Sequence, residues 1–133
     1  MTAASPFMVA SDLLTPKPRR WATPGAIARA CDPNVRQSPV LDLLDAELVA
    51  VHDDRDTPDR LMFFMPPQEG KSQRVSRWHA VWLLAHDPTL RIGIVSYELE
   101  SVVRWGRAIK RDIEANAALL GVWLMADSKA AGR

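Results

Sequence analysis

Apolar residues recur along the first half of the chain with the spacing of an amphipathic helix. Between residues 38 and 51 they recur at Val40, Leu41, Leu44, Leu48 and Val51, where the last four are three or four positions apart. This 3.6-residue period predicts a helix, and Ser38-Pro39 before it is a typical helix start. Thr23-Pro24 repeats that start signal and predicts a shorter helix that ends near Cys31. Two helices therefore precede the central part of the chain.

Two segments in the central part predict strands. Leu61–Met65 is apolar throughout and shows no alternation, as expected for a central strand covered on both faces. Arg91–Ser96 is the second, with Ile92, Ile94 and Val95 around Gly93. The segment between them carries an apolar stripe at helical spacing, made of Val75, Trp78, His79, Trp82 and Leu83. A strand, a helix and a second strand form a right-handed βαβ unit with a parallel pair. The pattern predicts an α/β fold, with parallel strands, flanking helices and N-terminal helices before the βαβ unit.

The arginines and lysines of the second half are predicted to lie on helix surfaces. Arg74 and Arg77 fall outside the apolar stripe, so we expect both to be exposed. A further helix is predicted after Ser96, with Ser96 as its cap. One face of that helix is apolar, and the other carries Arg104, Arg107, Lys110 and Arg111. This basic face is either a solvated surface or a contact for DNA or a neighbouring subunit.

Composition is that of an ordinary soluble globular protein, with 47% hydrophobic and 25% charged residues among 133. No apolar stretch reaches membrane-spanning length, and the N-terminus has no signal-peptide pattern. The one cysteine, Cys31, excludes an internal disulfide framework and is interpreted as a small apolar residue. We expect no membrane partner and a cytoplasmic location, with residues 1–20 as a flexible lead-in to a domain spanning 21–133.

Formal charge changes sign along the chain. Residues 1–70 carry 7 Lys/Arg and 10 Asp/Glu, whereas residues 71–133 carry 10 and 6, so the charge moves from −3 to +4. A basic half is compatible with phosphate-rich partners but does not require them. The acidic run at residues 52–59 is interpreted as a solvated loop rather than a metal site.

Gly70-Lys71-Ser72 lies between the first predicted strand and the predicted helix, which is the layout of a phosphate-binding loop. Backbone N–H groups at a helix N-terminus bind anions. In such a loop Lys71 would be the catalytic residue that stabilises charge on the γ-phosphate, and the Ser72 hydroxyl would hold Mg²⁺. The full pattern has a glycine five positions before Gly70, where this chain has Met65. The alternative is a surface turn with a solvated lysine.

Met65-Pro-Pro-Gln-Glu-Gly-Lys-Ser72 resembles the variant Walker A loop of the large terminase subunit of tailed bacteriophages, which lacks that first glycine. Arg91–Tyr97 is similar to the next strand of that family, and Asp127–Arg133 is similar to a later segment. The resemblance covers residues 37–133. It implies a partial P-loop NTPase fold that binds ATP and Mg²⁺.

The resemblance also implies roles for individual residues. The backbone from Pro67 through Gln68, Glu69 and Gly70 to Lys71 would cradle the β-phosphate. The family commonly has an arginine at the position of Gln68, so the role of that arginine is in doubt here, and the Glu69 charge would repel a triphosphate unless paired. Gln37 precedes a helix where the family often has a glutamine that reads the adenine edge. An ordinary polar turn residue is the alternative.

The resemblance further implies a part in viral DNA packaging, in the cytoplasm of an infected bacterium or encoded by a prophage. Double-stranded DNA, the terminase small subunit and the portal protein are the implied partners, in an oligomeric motor. The family's Walker B strand and nuclease domain have no counterpart in residues 1–133, so a truncated or split-gene product is expected. Two other hypotheses stay open: a non-catalytic module that binds protein or DNA, and a fragment of another P-loop NTPase.

Overall fold

The computed structural model describes residues 20–53 and 60–125. Its helices, in chain order, are α1 (Pro24–Cys31), α2 (Pro39–Asp53), a π-helical segment (Gln73–Trp78) continuing into α3 (His79–His86), α4 (Leu99–Ala115) and α5 (Ala117–Leu120). The four predicted helices are confirmed, and the short α5 was not predicted. The predicted lead-in (except Arg20), the acidic run after Asp53 and the segment Asp127–Arg133 lie outside the described residues.

The prediction of an α/β fold with parallel strands is wrong for the part of the chain that the structure describes. That part is 60% helical and contains no strand. A helix satisfies its backbone hydrogen bonds within one segment, whereas a strand needs a neighbour that supplies the other half of each bond. Neither Leu61–Met65 nor Arg91–Ser96 has such a neighbour within residues 20–53 and 60–125. An apolar run predicts burial but does not identify its partner.

The segment Leu61–Met65 is covered on one side instead of both. Phe63 and Met65 pack against the apolar face of α2, formed by Leu41, Leu44 and Leu48. The intervening side chains face solvent, with Met62 78% and Phe64 86% exposed. This alternation has the two-residue period of an extended chain. The segment therefore lies along α2 and leads directly into residues 66–72.

The main core lies between α1, the helical stretch from residue 73 to 86, and α4. Its buried members are Ile27, Ala28, Trp78, Val81, Trp82, Ile113 and Leu120. Trp82 also donates a hydrogen bond from Nε1 to the Trp21 carbonyl at 2.9 Å, which satisfies the polar end of a buried indole. Trp78 and Trp82 are thus core residues, as predicted.

The π-helical segment changes which residues of this helix face inward. His79 donates its backbone N–H to the Arg74 carbonyl, five positions earlier rather than four. The wider turn rotates the residues that precede it, and Arg74 is only 2% exposed. The prediction that Arg74 and Arg77 are exposed is therefore wrong for Arg74, and Arg77 is half-buried.

One predicted helix cap is observed, and another is displaced. Thr23 Oγ1 accepts a hydrogen bond from the Ala26 N–H at 3.1 Å, as expected for a threonine cap before Pro24. Ser96 Oγ accepts from the Glu98 N–H at 3.4 Å, but α4 begins at Leu99, two residues later than a Ser96 cap would place it. Among the helices of the described ranges, none has the length and apolarity needed to cross a membrane.

Candidate functional site

Residues 66–72 form a tight bend that ends in the first turn of a helix. Gln68 and Gly70 have positive φ angles of 68° and 83°. A positive φ is uncommon for a residue with a side chain, whereas glycine adopts it readily. The Gly70 carbonyl accepts a hydrogen bond from the Arg74 N–H at 3.0 Å, which begins the helix. The Gly-Lys-Ser sequence thus lies at the point where the bend becomes helical.

The first N–H groups of this helix point away from its body. Lys71 and Ser72 form the first helical residues before the π-helical segment. No helical residue precedes them, so no helical carbonyl accepts a hydrogen bond from their N–H groups. Such groups and the helix dipole favour an anion. Ser72 is exposed, and its hydroxyl makes no capping hydrogen bond, so it is available to a ligand.

A cavity of about 470 Å³ opens beside the bend. Four of the predicted nucleotide-binding residues line it, namely Gln37, Gln68, Glu69 and Gly70. Pro67, Lys71 and Ser72 are outside its lining. Arg74 and Arg77 also line the cavity. The cavity therefore joins the residue proposed to read a base with the loop proposed to hold phosphates.

The Gln37 side chain belongs to a hydrogen-bonded network behind the loop. Its Nε2 donates to Asp42 Oδ1 at 2.8 Å and to Asp45 Oδ2 at 3.1 Å. Its Oε1 accepts from Arg74 Nη2 at 2.7 Å. Arg74 Nη1 donates to Asp45 Oδ2, and both side chains of this ion pair are buried. We call Gln37, Asp45 and Arg74 the buried network.

The α1 backbone packs closely against the buried network at Gly25. A Cβ at this position would overlap Arg74 Nη1 and Asp45 Oδ2 and would lie 2.9 Å from Gln37 Oε1. Gly25 is therefore required by the close approach of the network rather than by a special backbone angle. Four parts of the chain meet here: α1, the turn before α2, α2 itself and the start of the helix at Lys71.

Asp45 and Arg74 are the members of this site that sequence reasoning missed. Asp45 falls on the same helical face as Leu41, Leu44 and Leu48, at positions i, i+3, i+4 and i+7. A carboxylate on an otherwise apolar stripe must be paired when it is buried. The position of Asp45 on the apolar face could therefore have indicated a cationic partner from the sequence alone. It could not have identified Arg74 as that partner.

Arg77 forms a second link from this helix, to α4. Its Nε and Nη2 donate to the two carboxylate oxygens of Asp112 at 2.5 and 2.8 Å, and its guanidinium lies over the Trp78 ring. The hydrogen bond with Asp112 raises the pKa of Arg77. This bidentate contact fixes the guanidinium at the edge of the cavity.

Two other titratable side chains near the core, Cys31 and His79, have shifted pKa values. Burial raises the pKa of the Cys31 thiol to about 11, with a further contribution from Asp112, so it stays protonated and unreactive. Burial, with a further contribution from His52, lowers the pKa of His79 to about 4. Within residues 20–53 and 60–125, no three His, Cys, Asp or Glu side chains are grouped to hold a metal ion.

Comparison of the chain with protein-family models, with curated proteins and with solved structures finds no match.

Proposed function

We propose that this chain is an ATP-binding segment of a terminase-like DNA-packaging motor and that residues 66–72 hold the phosphates of the nucleotide. One observation carries the proposal. The bend at Gln68 and Gly70 lies immediately before a helix whose first residues are Lys71 and Ser72. The proposal rests on this loop and on the motif, and does not depend on a parallel sheet.

Each residue of the loop has a role in this proposal. The N–H groups around Gly70 and Lys71 donate to phosphate oxygens, and the Lys71 ammonium neutralises the charge of the outer phosphates. The uncommitted Ser72 hydroxyl fits a Mg²⁺ ligand of the hard oxygen type. Ser72 would hold a bound Mg²⁺, which would supply positive charge near the phosphates. Gln68 and Glu69 are both exposed at the cavity. Neither supplies a positive charge there, because a glutamine side chain is neutral and a glutamate side chain is anionic.

The proposal for this chain is limited to binding. Hydrolysis requires groups that activate water and complete the metal site, and we assign none of them here. Double-stranded DNA, the terminase small subunit and the portal protein enter as proposed partners of the whole motor. The host-cell cytoplasm is its proposed location.

A partner-binding module is the second candidate, and exposed apolar residues favour it. Val95 is 94% exposed, and Met62 and Phe64 are similarly uncovered. Exposed apolar patches often mark protein contacts. This candidate requires no nucleotide, so measuring nucleotide binding separates the two.

The test is titration of the full chain with Mg-ATP, comparing wild type with Lys71→Ala. We expect at least a tenfold loss of affinity in the variant, because a charge-assisted hydrogen bond contributes about 1.5–3 kcal/mol. Lys110→Ala is the matched control, since Lys110 lies on α4 and pairs with Glu114. Equal affinity of wild type and Lys71→Ala would contradict the proposed function.

A further inference from the structure

We propose that Gln37 is a positioning residue that holds Arg74 and Asp45 behind the loop, and that it does not read the nucleotide base. The class of ligand recognised through this network is the polyphosphate of a nucleoside triphosphate. The ligand part of this inference rests on the proposed function, whereas the positioning part concerns the free protein. It differs from the expectation that Gln37 contacts adenine.

The hydrogen-bonding capacity of the Gln37 amide carries the argument. A glutamine amide has two N–H donors and one oxygen acceptor. Both donors are used, on Asp42 and Asp45, and the oxygen accepts from Arg74. Reading the adenine edge with an amide requires one free donor for N7 and an acceptor for N6–H₂. Gln37 has no free donor, so it would have to leave a carboxylate before it could read a base in this way.

The orientation of the amide is determined by its neighbours. Rotating it by 180° would direct its oxygen at the Asp42 and Asp45 carboxylates and its NH₂ group at the Arg74 guanidinium. Each of these contacts would join two acceptors or two donors. Only the observed orientation satisfies all three partners. The amide is therefore part of a closed set of charge-assisted hydrogen bonds.

Arg74 connects this network to the phosphate loop. Its backbone N–H donates to the Gly70 carbonyl, while its side chain reaches Asp45 on α2 and Gln37 before α2. Without the Gln37 amide, the Arg74 side chain would lose one hydrogen-bond acceptor. This would occur where the α1 backbone at Gly25 packs closely against the Arg74 guanidinium. The direction of the first helical N–H groups therefore depends on Gln37, although Gln37 lies outside the loop.

The experiment compares wild type and Gln37→Ala for binding of Mg-ATP, Mg-GTP and inorganic tripolyphosphate. A positioning role predicts that all three affinities fall by the same factor, about three- to tenfold, so that the ratio of ATP to GTP affinity is unchanged. A loss confined to ATP, with tripolyphosphate binding unaffected, would overturn the inference and restore base reading. Unchanged affinity for all three would overturn it as well.

A second substitution at the same position adds a check on the donors. Gln37→Glu keeps an oxygen for Arg74 but has no N–H to donate to Asp42 and Asp45. A positioning role therefore predicts that its tripolyphosphate affinity falls at least as far as in Gln37→Ala. A Gln37→Glu variant that binds tripolyphosphate as tightly as wild type would contradict the positioning role.

A measurement without ligand separates this inference from the proposed function. If wild type binds none of the three ligands, the proposed function fails, and amide hydrogen exchange then tests the positioning role alone. We expect residues 71–75 to exchange faster in Gln37→Ala than in wild type, with exchange in α4 unchanged. Equal exchange rates at residues 71–75 would refute the positioning role.

Discussion

The helical core and the two extended segments are both apolar in sequence, yet they differ in how their residues are covered. In the core, Trp82 and Val81 are fully enclosed by α1, α4 and their own helix. Along the extended segments, Met62 and Val95 remain in contact with solvent. The core elements satisfy their own backbone hydrogen bonds, so they need only side-chain packing from their neighbours. The extended segments need a partner for backbone and side chains alike.

The largest effect that tests this comparison is expected at the centre of the buried network. Arg74→Ala would leave Asp45 buried without its cation, and removing one partner of a buried ion pair costs about 3–5 kcal/mol. Chemical denaturation of both proteins measures the difference. Arg107→Ala, at an exposed position on α4, is the matched control and should stay within about 0.5 kcal/mol of wild type. A loss below 1 kcal/mol for Arg74→Ala would show that the pair is not buried.

The pH dependence of stability is expected to report on His79. Burial lowers the pKa of His79 from 6.5 to about 4, so between these values the unfolded chain binds the proton more readily than the folded protein does. Stability should therefore be full above pH 6.5 and decrease as the pH falls toward 4, by at most on the order of 3 kcal/mol. Denaturation midpoints at several pH values measure this loss.

His79→Phe should remove much of this pH dependence, while the exposed His86→Gln should retain it. If His79→Phe and wild type lose the same stability between pH 6.5 and 4, other groups are responsible and His79 is not buried in the neutral form.

Gly25→Ala is expected to destabilise the protein by about 1–3 kcal/mol, because the added methyl group overlaps the buried network. Gly106→Ala is the matched control, since a Cβ there meets no atom within 4 Å and Gly106 lies inside α4. That control should be stabilised by up to about 1 kcal/mol through helix propensity. Opposite signs for the two substitutions support the close packing of α1, and equal stabilisation would argue against it.

The smallest effects are expected on the extended segments. Met62→Ala and Val95→Ala should each change the free energy of unfolding by less than about 0.5 kcal/mol. Leu44→Ala, in the cluster below Phe63, should cost about 2–5 kcal/mol. A loss above 2 kcal/mol at Met62 or Val95 would mean that something covers these side chains in solution, and the contrast between the two regions would not hold.

The helices could be predicted because their signals are local. Thr23-Pro24 and Ser38-Pro39 mark two starts, and Leu41, Leu44 and Leu48 of the apolar period lie on the buried face of α2. The strands could not be predicted correctly, because the pairing of an extended segment depends on other parts of the chain. The run Leu61–Met65 indicates apolar character and gives no information on a neighbour.

The bend and the helix start of the candidate site could be predicted from the sequence. The buried ion pair behind them could not. Gly70 and Lys71 indicate a bend followed by a helix, and the structure has both there. Arg74 was assigned to the surface because a 3.6-residue period was applied to a segment with wider turns. The pairing of Arg74 with Asp45 joins residues 29 positions apart, which no local pattern encodes.

The π-helical segment Gln73–Trp78 accommodates one residue more than an α-helix would hold between the loop and the tryptophan core. A π-turn spans five residues with nearly the rotation that an α-turn makes with four. Deleting one residue from this segment would therefore give ordinary α-helical turns while leaving Lys71 and Ser72 at nearly the same angle to the core. A one-residue deletion within His79–His86 would instead turn the loop by about 100° relative to the residues that follow, because that is the rotation per residue of an α-helix.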